Sequence, residues 1–196
     1  GGTGGTYYPL SNEFKGIVED NTPHSLQVQS TGASVENVGA LGNETADFAL
    51  VQNDTAYFAK NGTGLEEFEG NPIPNLMGVA TLYPETIHII TRPGTGIESV
   101  ADMEGKRVNT GDLGSGTQSN ALQVLEAVAG LEPGEDFDEQ NTSFNVAVDQ
   151  MRDGDIDAMF VIGAAPTGAV EDLATTTDIN ILSLTGDARE AAMDAR

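Results

Sequence analysis

The chain contains no cysteine, which excludes disulfides, thiol catalysis and any cysteine-ligated metal. Positive charge is scarce as well. Eight Lys and Arg, of which only Lys15, Lys60 and Lys106 are lysines, face 31 Asp and Glu, giving a formal charge of −23. The acids are scattered along the chain, so the excess belongs to the whole surface. Such a surface repels nucleic acid and anionic membranes. It also strains the fold by self-repulsion, a cost that high salt screens, so a salt-adapted setting is expected. No apolar run reaches the roughly 18 residues that a membrane-spanning helix needs. No signal peptide is visible.

Catalytic signatures are missing too. There is no G-x-x-x-x-G-K-[ST] phosphate loop, and "GSG" at Gly114 to Gly116 lacks the G-x-S-x-G spacing of a nucleophile elbow. His24 and His88 lie far apart and read as structural. "DGDIDA", from Asp153 to Ala158, begins like a calcium loop but lacks glycine at the sixth position and glutamate at the twelfth. Arg92 and Arg107 are candidates for pairing with a ligand carboxylate, although pairing with surface acids is the simpler expectation. Sequons at Asn43, Asn53, Asn61 and Asn141 are weak signs of exposure to a glycosylating compartment, and chance accounts for them equally well. Neither a metal nor a cofactor is expected.

What remains is an alternation of short apolar strands with helical patterns. Phe14, Ile17 and Val18 have helical spacing, and "HSLQVQST" alternates Leu26 and Val28 with glutamines as a strand does. Val35, Val38 and Leu41 share a helical face. "ADFALVQND" reads as a strand, with Asp54 capping the next helix, "TAYFAKNG". After a proline-bearing stretch comes the strand "TIHIIT". A second series follows: a strand at Arg107 to Asn109, a glycine-rich turn, and a helix through Leu122, Leu125 and Val128. Then come an acidic loop "EPGEDFDEQNT", a helix from Val146 to Arg152, the strand "DAMFVIG", a helix near Val170 and the strand "INILSL". This order predicts an α/β protein with parallel sheets and helices on both faces. The break between Tyr83 and Pro93 predicts two lobes, residues 1–84 and 85–185, with 186–196 starting a return toward the first.

In open α/β sheets a ligand sits beyond the carboxyl ends of the strands. The polar turns expected there are Ser30 to Ser34, Gln52 to Asp54, Gly111 to Thr117 and Gly163 to Thr167, each leading into a helix. The opening "GGTGGTYYP" reads either as one more such turn, cradling an anion on the main chain, or as a flexible linker.

The strings "GTGGTYYP", "VQSTGASVENV", "ADFALVQNDTAYFA" and "LYPETIHII", followed by "GDLGSGTQ" and "FVIGAAPTGAV", resemble the TAXI family. Its members are extracytoplasmic solute-binding subunits of tripartite, ATP-independent periplasmic (TRAP) transporters. The motifs run in family order over nearly the whole chain. The resemblance implies a type II periplasmic-binding-protein fold, with a ligand clamped between lobes and passed to a membrane permease. Glutamate-like amino acids or related carboxylates are the implied ligands. The implied cleft residues are Gly4, Gly5, Thr6, Tyr7, Ser30, Thr31, Ser34, Gln52 and Asp54 from one lobe. The other lobe supplies Glu85, Ser115, Gly116, Thr117 and Pro166. N–H groups and hydroxyls would hold the carboxylate, and Asp54 or Glu85 the ammonium. Against the family pattern, the strand before Gly2 and the C-terminal return are missing, so a fragment of a longer, extracytoplasmic and tethered protein is expected. A ligand-sensing domain and an enzyme on a similar fold are the alternatives; the enzyme would need an activated nucleophile that the sequence does not show.

Overall fold

The computed structural model describes residues 1–195; Arg196, the last residue of the expected return segment, lies outside them. Two apolar strands dominate the structure. In β1 (Thr86–Thr91) and β4 (Ala158–Gly163) successive side chains point to opposite faces, and both faces are apolar. Ile89 and Phe160 enter one buried cluster with Val108, Val124 and Leu125. Ile90 and Met159 enter a second, with Val148, Met151 and Leu173. A sheet buried on both faces needs apolar residues on each, which is why these strands read as unbroken hydrophobic runs. Burying a side chain the size of Phe160 contributes about 1.5–3 kcal/mol.

The five strands lie in the order β3-β2-β4-β1-β5. β2 (Arg107–Asn109) pairs parallel with β4 and with β3 (Asp138–Gln140), whereas β1 runs antiparallel to both β4 and β5 (Asn180–Leu182). The sheet is therefore mixed and not parallel as expected. Hydrophobic period 2 is the same for either direction, so the pattern carried no sign of the reversal. β3 lies within the stretch expected to be an acidic loop; its charges are tolerable because it is an edge strand.

Helices cover both faces. α4 (Gly116–Ala129) buries Ala121, Val124 and Leu125 against the first cluster. Ser115 caps it, its Oγ accepting the Gln118 N–H at 3.0 Å, and Gly130 ends it at φ +66°, a left-handed conformation natural to glycine. α5 (Phe144–Asp153) and α6 (Gly168–Thr176) cover the second cluster. α7 (Gly186–Asp194) lies against α4, with Ala192 joining the first cluster.

The N-terminal part is helical: α1 (Tyr7–Asn21), α2 (Ser34–Gly42) and α3 (Asn53–Asn61), with a small core of Val38, Ala59 and Phe68. The expected strands at 24–31 and 46–51 are not formed. Leu26 and Val28 do alternate with exposed neighbours, but neither segment has a ladder partner among the described residues. Alternation fixes a face; only a partner makes a strand. Asp54 is not the cap of α3 either. Gln52 holds that position, and Asp54 Oδ1 accepts the neighbouring Thr55 N–H at 2.7 Å.

Arg92 and Arg107 are committed elsewhere than to a ligand. Both reach Asp157, just before β4, with Nη2 to Oδ1 distances of 2.7 Å and 2.8 Å. Arg107 adds hydrogen bonds from its backbone N and its Nε to Oδ2, each 3.1 Å. Burial works against the Asp157 charge, yet the hydrogen bonds from both arginines outweigh it and bring its pKa down to about 2. No helix among the described residues is long and apolar enough to cross a membrane.

Candidate ligand-binding cavity

At the opposite end of the sheet from Asp157 lies a cavity of about 200 Å³. Antiparallel pairing puts Thr86 opposite Gly163, so the start of β1 and the end of β4 meet there. Glu85, Ile162 and Gly163 form that part of the wall. Five helices begin at the rest of it: α1 at Thr6 and Tyr7, α2 at Ala33 and Ser34, α3 at Gln52, α4 at Ser115 and Thr117, and α5 at Ser143 to Asn145. The first N–H groups of a helix have no partner within it, and its dipole is positive at that end. A carboxylate or similar anion is the chemical complement of such a wall.

Hydroxyls and amides tie the wall together. The Tyr7 and Ser34 hydroxyls lie 3.4 Å apart, and Ser34 Oγ accepts the Gln52 N–H at 3.1 Å. Asn145 Nδ2 donates to Thr3 Oγ1 at 3.2 Å, and Ala164 N–H to Thr6 Oγ1 at 3.3 Å, joining the opening loop to the sheet part. The loop fits tightly: a Cβ on Gly4 would fall 2.1 Å from Asn145 Oδ1.

Two carboxyls line the cavity. Burial raises the Glu85 pKa despite hydroxyls from Tyr7 and Tyr83 that pull the other way; the Tyr83 Oη to Glu85 Oε1 distance is 3.4 Å. Burial, helped by the Glu85 charge, raises the Tyr7 and Tyr83 phenols as well. Asp112, in the turn before α4, is also raised by burial, which outweighs the pull of the nearby Gly1 nitrogen, and Glu36 adds a smaller push upward.

Ten of the sequence candidates share this wall: Gly4, Gly5, Thr6, Tyr7, Ser30, Ser34, Gln52, Glu85, Ser115 and Thr117. Four do not. Thr31 lies behind it, donating to Asn37 Oδ1 at 2.6 Å and accepting the Ala33 N–H at 3.2 Å. Asp54 Oδ2 instead accepts from Asn120 Nδ2 at 2.9 Å, beside the Gln52 Nε2 to Asn120 Oδ1 bond of 3.0 Å. Gly116 backs onto Gln52, whose Oε1 would lie 1.4 Å from an added Cβ. Pro166, after a cis peptide bond, lines a wider neighbouring cavity of about 590 Å³ along α1 and α6. The sequence reading missed Asp112 as a site group and the whole start of α5. "NTSFN" was the missed signal: a serine at the N-cap position ahead of an amphipathic helix, as at Ser115 though without its side-chain bond.

Over residues 1–196 the chain matches the NMT1-like family. Among solved structures it is similar to a binding protein component of an ABC phosphonate transporter from Pseudomonas aeruginosa. Identity is 13%, the TM-score 0.61, and coverage 98% of this chain and 70% of that one. It is similar to the alkanesulfonate-binding protein SsuA from Xanthomonas axonopodis pv. citri, bound to MOPS, at 18% identity and TM-score 0.56, covering 89% and 55%. Holo ArgBP from T. maritima matches at 15% identity and TM-score 0.53, covering 89% and 66%. The chain thus spans between about half and two thirds of the latter two. At such identities these likenesses show the fold, that of type II periplasmic binding proteins, and nothing of the ligand.

Proposed function

This chain belongs to the NMT1-like family, a family of periplasmic solute-binding proteins, and from that premise we propose that it captures a small amino acid or carboxylate, glutamate-like in size, for delivery to a membrane permease. The observation that carries this is the cavity itself, where helices from the N-terminal part and from the sheet part begin around one small space. In this reading residues 1–84 and 85–185 are the two lobes, and residues from 186 start a return toward the first. The TAXI-like strings favour a TRAP-type permease as the partner, with the protein extracytoplasmic and tethered by a segment before Gly1. The wall suits binding and not turnover, since it holds two carboxyls but no activated nucleophile paired to a base. Native mass spectrometry of the gently purified protein tests this. One small metabolite per chain, released on unfolding, is the expected result. A chain that carries none and instead converts a small acid catalytically would be an enzyme.

Salt adaptation is part of the same proposal. The acids outnumber the bases 31 to 8, and among the described residues Lys15, Arg92, Arg107 and Arg152 already serve the ion pairs. The remaining acids repel one another over distances that salt shortens. The melting midpoint therefore rises steadily from low to molar salt. A midpoint that stays flat in a thermal melt series removes this reading.

A further inference from the structure

The charge of the cavity wall narrows what it accepts. No lysine, arginine or histidine lines the cavity among the described residues; the Gly1 nitrogen on its wall donates to Thr31 Oγ1 at 2.6 Å. The lining side chains include two carboxyls, Glu85 and Asp112, supplied by separate segments: one just ahead of β1, the other between β2 and α4. Behind them stand two more acids. Glu36, whose Oε2 accepts the Gly32 N–H at 2.5 Å, adds its charge near Asp112, and Asp54 adds its charge near Glu85. The helix starts offer places for one anionic group; the carboxyls repel any second one.

We propose that the solute presents a positively charged nitrogen to Glu85 and Asp112 and carries no net negative charge. The class is an amino acid with an uncharged or basic side chain, or a small amine, and not a dicarboxylate, sulfonate or phosphonate. The inference rests on the cavity being the ligand site, as proposed above. Burial is what raises both carboxyls, against the pull of the Tyr7 and Tyr83 hydroxyls on Glu85 and of the Gly1 nitrogen on Asp112, and an entering ammonium adds a cationic partner for them. Glutamate and glutamine have nearly the same shape but differ by one negative charge, so they separate charge from size.

The test is a calorimetric titration of the ligand-stripped, refolded protein with a panel: L-glutamine, L-glutamate, L-lysine, putrescine, succinate, methanesulfonate and methylphosphonate. The expected result is binding confined to members that carry an ammonium and no net negative charge. Glutamine then exceeds glutamate by at least about tenfold, since one uncompensated charge pair is worth more than the 1.4 kcal/mol of a decade. Asp112→Asn narrows that ratio severalfold, with an unchanged circular-dichroism spectrum as the control for folding. Glutamate or succinate binding as tightly as glutamine overturns the proposal and leaves the solute-binding reading standing. Silence across the whole panel, with no metabolite co-purified, overturns both.

Discussion

Replacing Gly116 with alanine is expected to weaken ligand binding by roughly ten- to a hundredfold, the worth of one or two lost polar contacts. The added Cβ would overlap Gln52 Oε1, 1.4 Å away, and lie 3.2 Å from Ser34 Cβ. Gln52 is buried, so its amide cannot simply swing into solvent. It must give up the bond from Nε2 to Asn120 Oδ1 and either turn into the cavity it lines or push α3 away from α4. Those helices come from the two halves of the chain, and the cavity between them is widened by any such separation. The lost buried bond should also lower the ligand-free melting midpoint by a few degrees, since a buried polar group left unpaired costs about 1–3 kcal/mol. Calorimetric titration of the variant decides the matter. In a Gln52→Ala background the same change should cost much less, because the clashing side chain is gone. A full loss in that background would place the cause elsewhere than in Gln52.

Glu85→Gln is expected to weaken an ammonium-bearing ligand by roughly ten- to a hundredfold, the loss of a hydrogen bond to a charged group being about 1.5–3 kcal/mol. An anionic ligand should gain from the same change or be indifferent to it. Asp54→Asn behaves differently. Its Oδ2 is engaged by Asn120, one residue pair away from the wall, so its loss loosens the α3–α4 contact and weakens every ligand, with only a smaller charge-dependent part because its charge also reaches Glu85. Comparing the two variants against glutamine and the weaker-binding glutamate separates a group that touches the ligand from one that positions the wall. Equal, ligand-independent losses in both variants would mean that Glu85 also acts only through its neighbours Tyr7 and Tyr83.

Much of the sheet half was legible because its strands are buried on both faces. "TIHIIT" and "DAMFVIG" could hardly be anything else, and the glycine-rich turn ahead of α4 marked its start. Direction was not legible, since a reversed strand has the same alternation, and neither was β3, whose acids suit an edge. The N-terminal half misled where alternation at Leu26 and Val28 met no partner. For the cavity, the sequence found the turns that start α1 to α4 because each is polar, rich in glycine, serine or threonine at α1, α2 and α4 and made of Gln52, Asn53 and Asp54 at α3. It could not tell which residue of a turn faces inward. Thr31 and Ser34 are three apart, yet one bonds behind the wall and the other lines it. The opening glycines show the same limit. A Cβ on Gly5 would meet nothing closer than 3.6 Å, whereas among the candidate site glycines Gly4 and Gly116 have no room for one.

The antiparallel pairing of β1 with β4 has a consequence for how this chain tolerates changes in length. One register seats Ile89 and Phe160 in one cluster, Ile90 and Met159 in the other, and Thr86 against Gly163 at the cavity. Deleting or inserting a single residue inside β1 would exchange its two faces. It would also withdraw Glu85 from the wall or thrust it across the opening. Loops such as 63–72 can gain or lose residues without touching either cluster of the sheet, but β1 cannot. Six residues of strand hold the one register from which both sheet clusters and the proposed ligand contacts are measured.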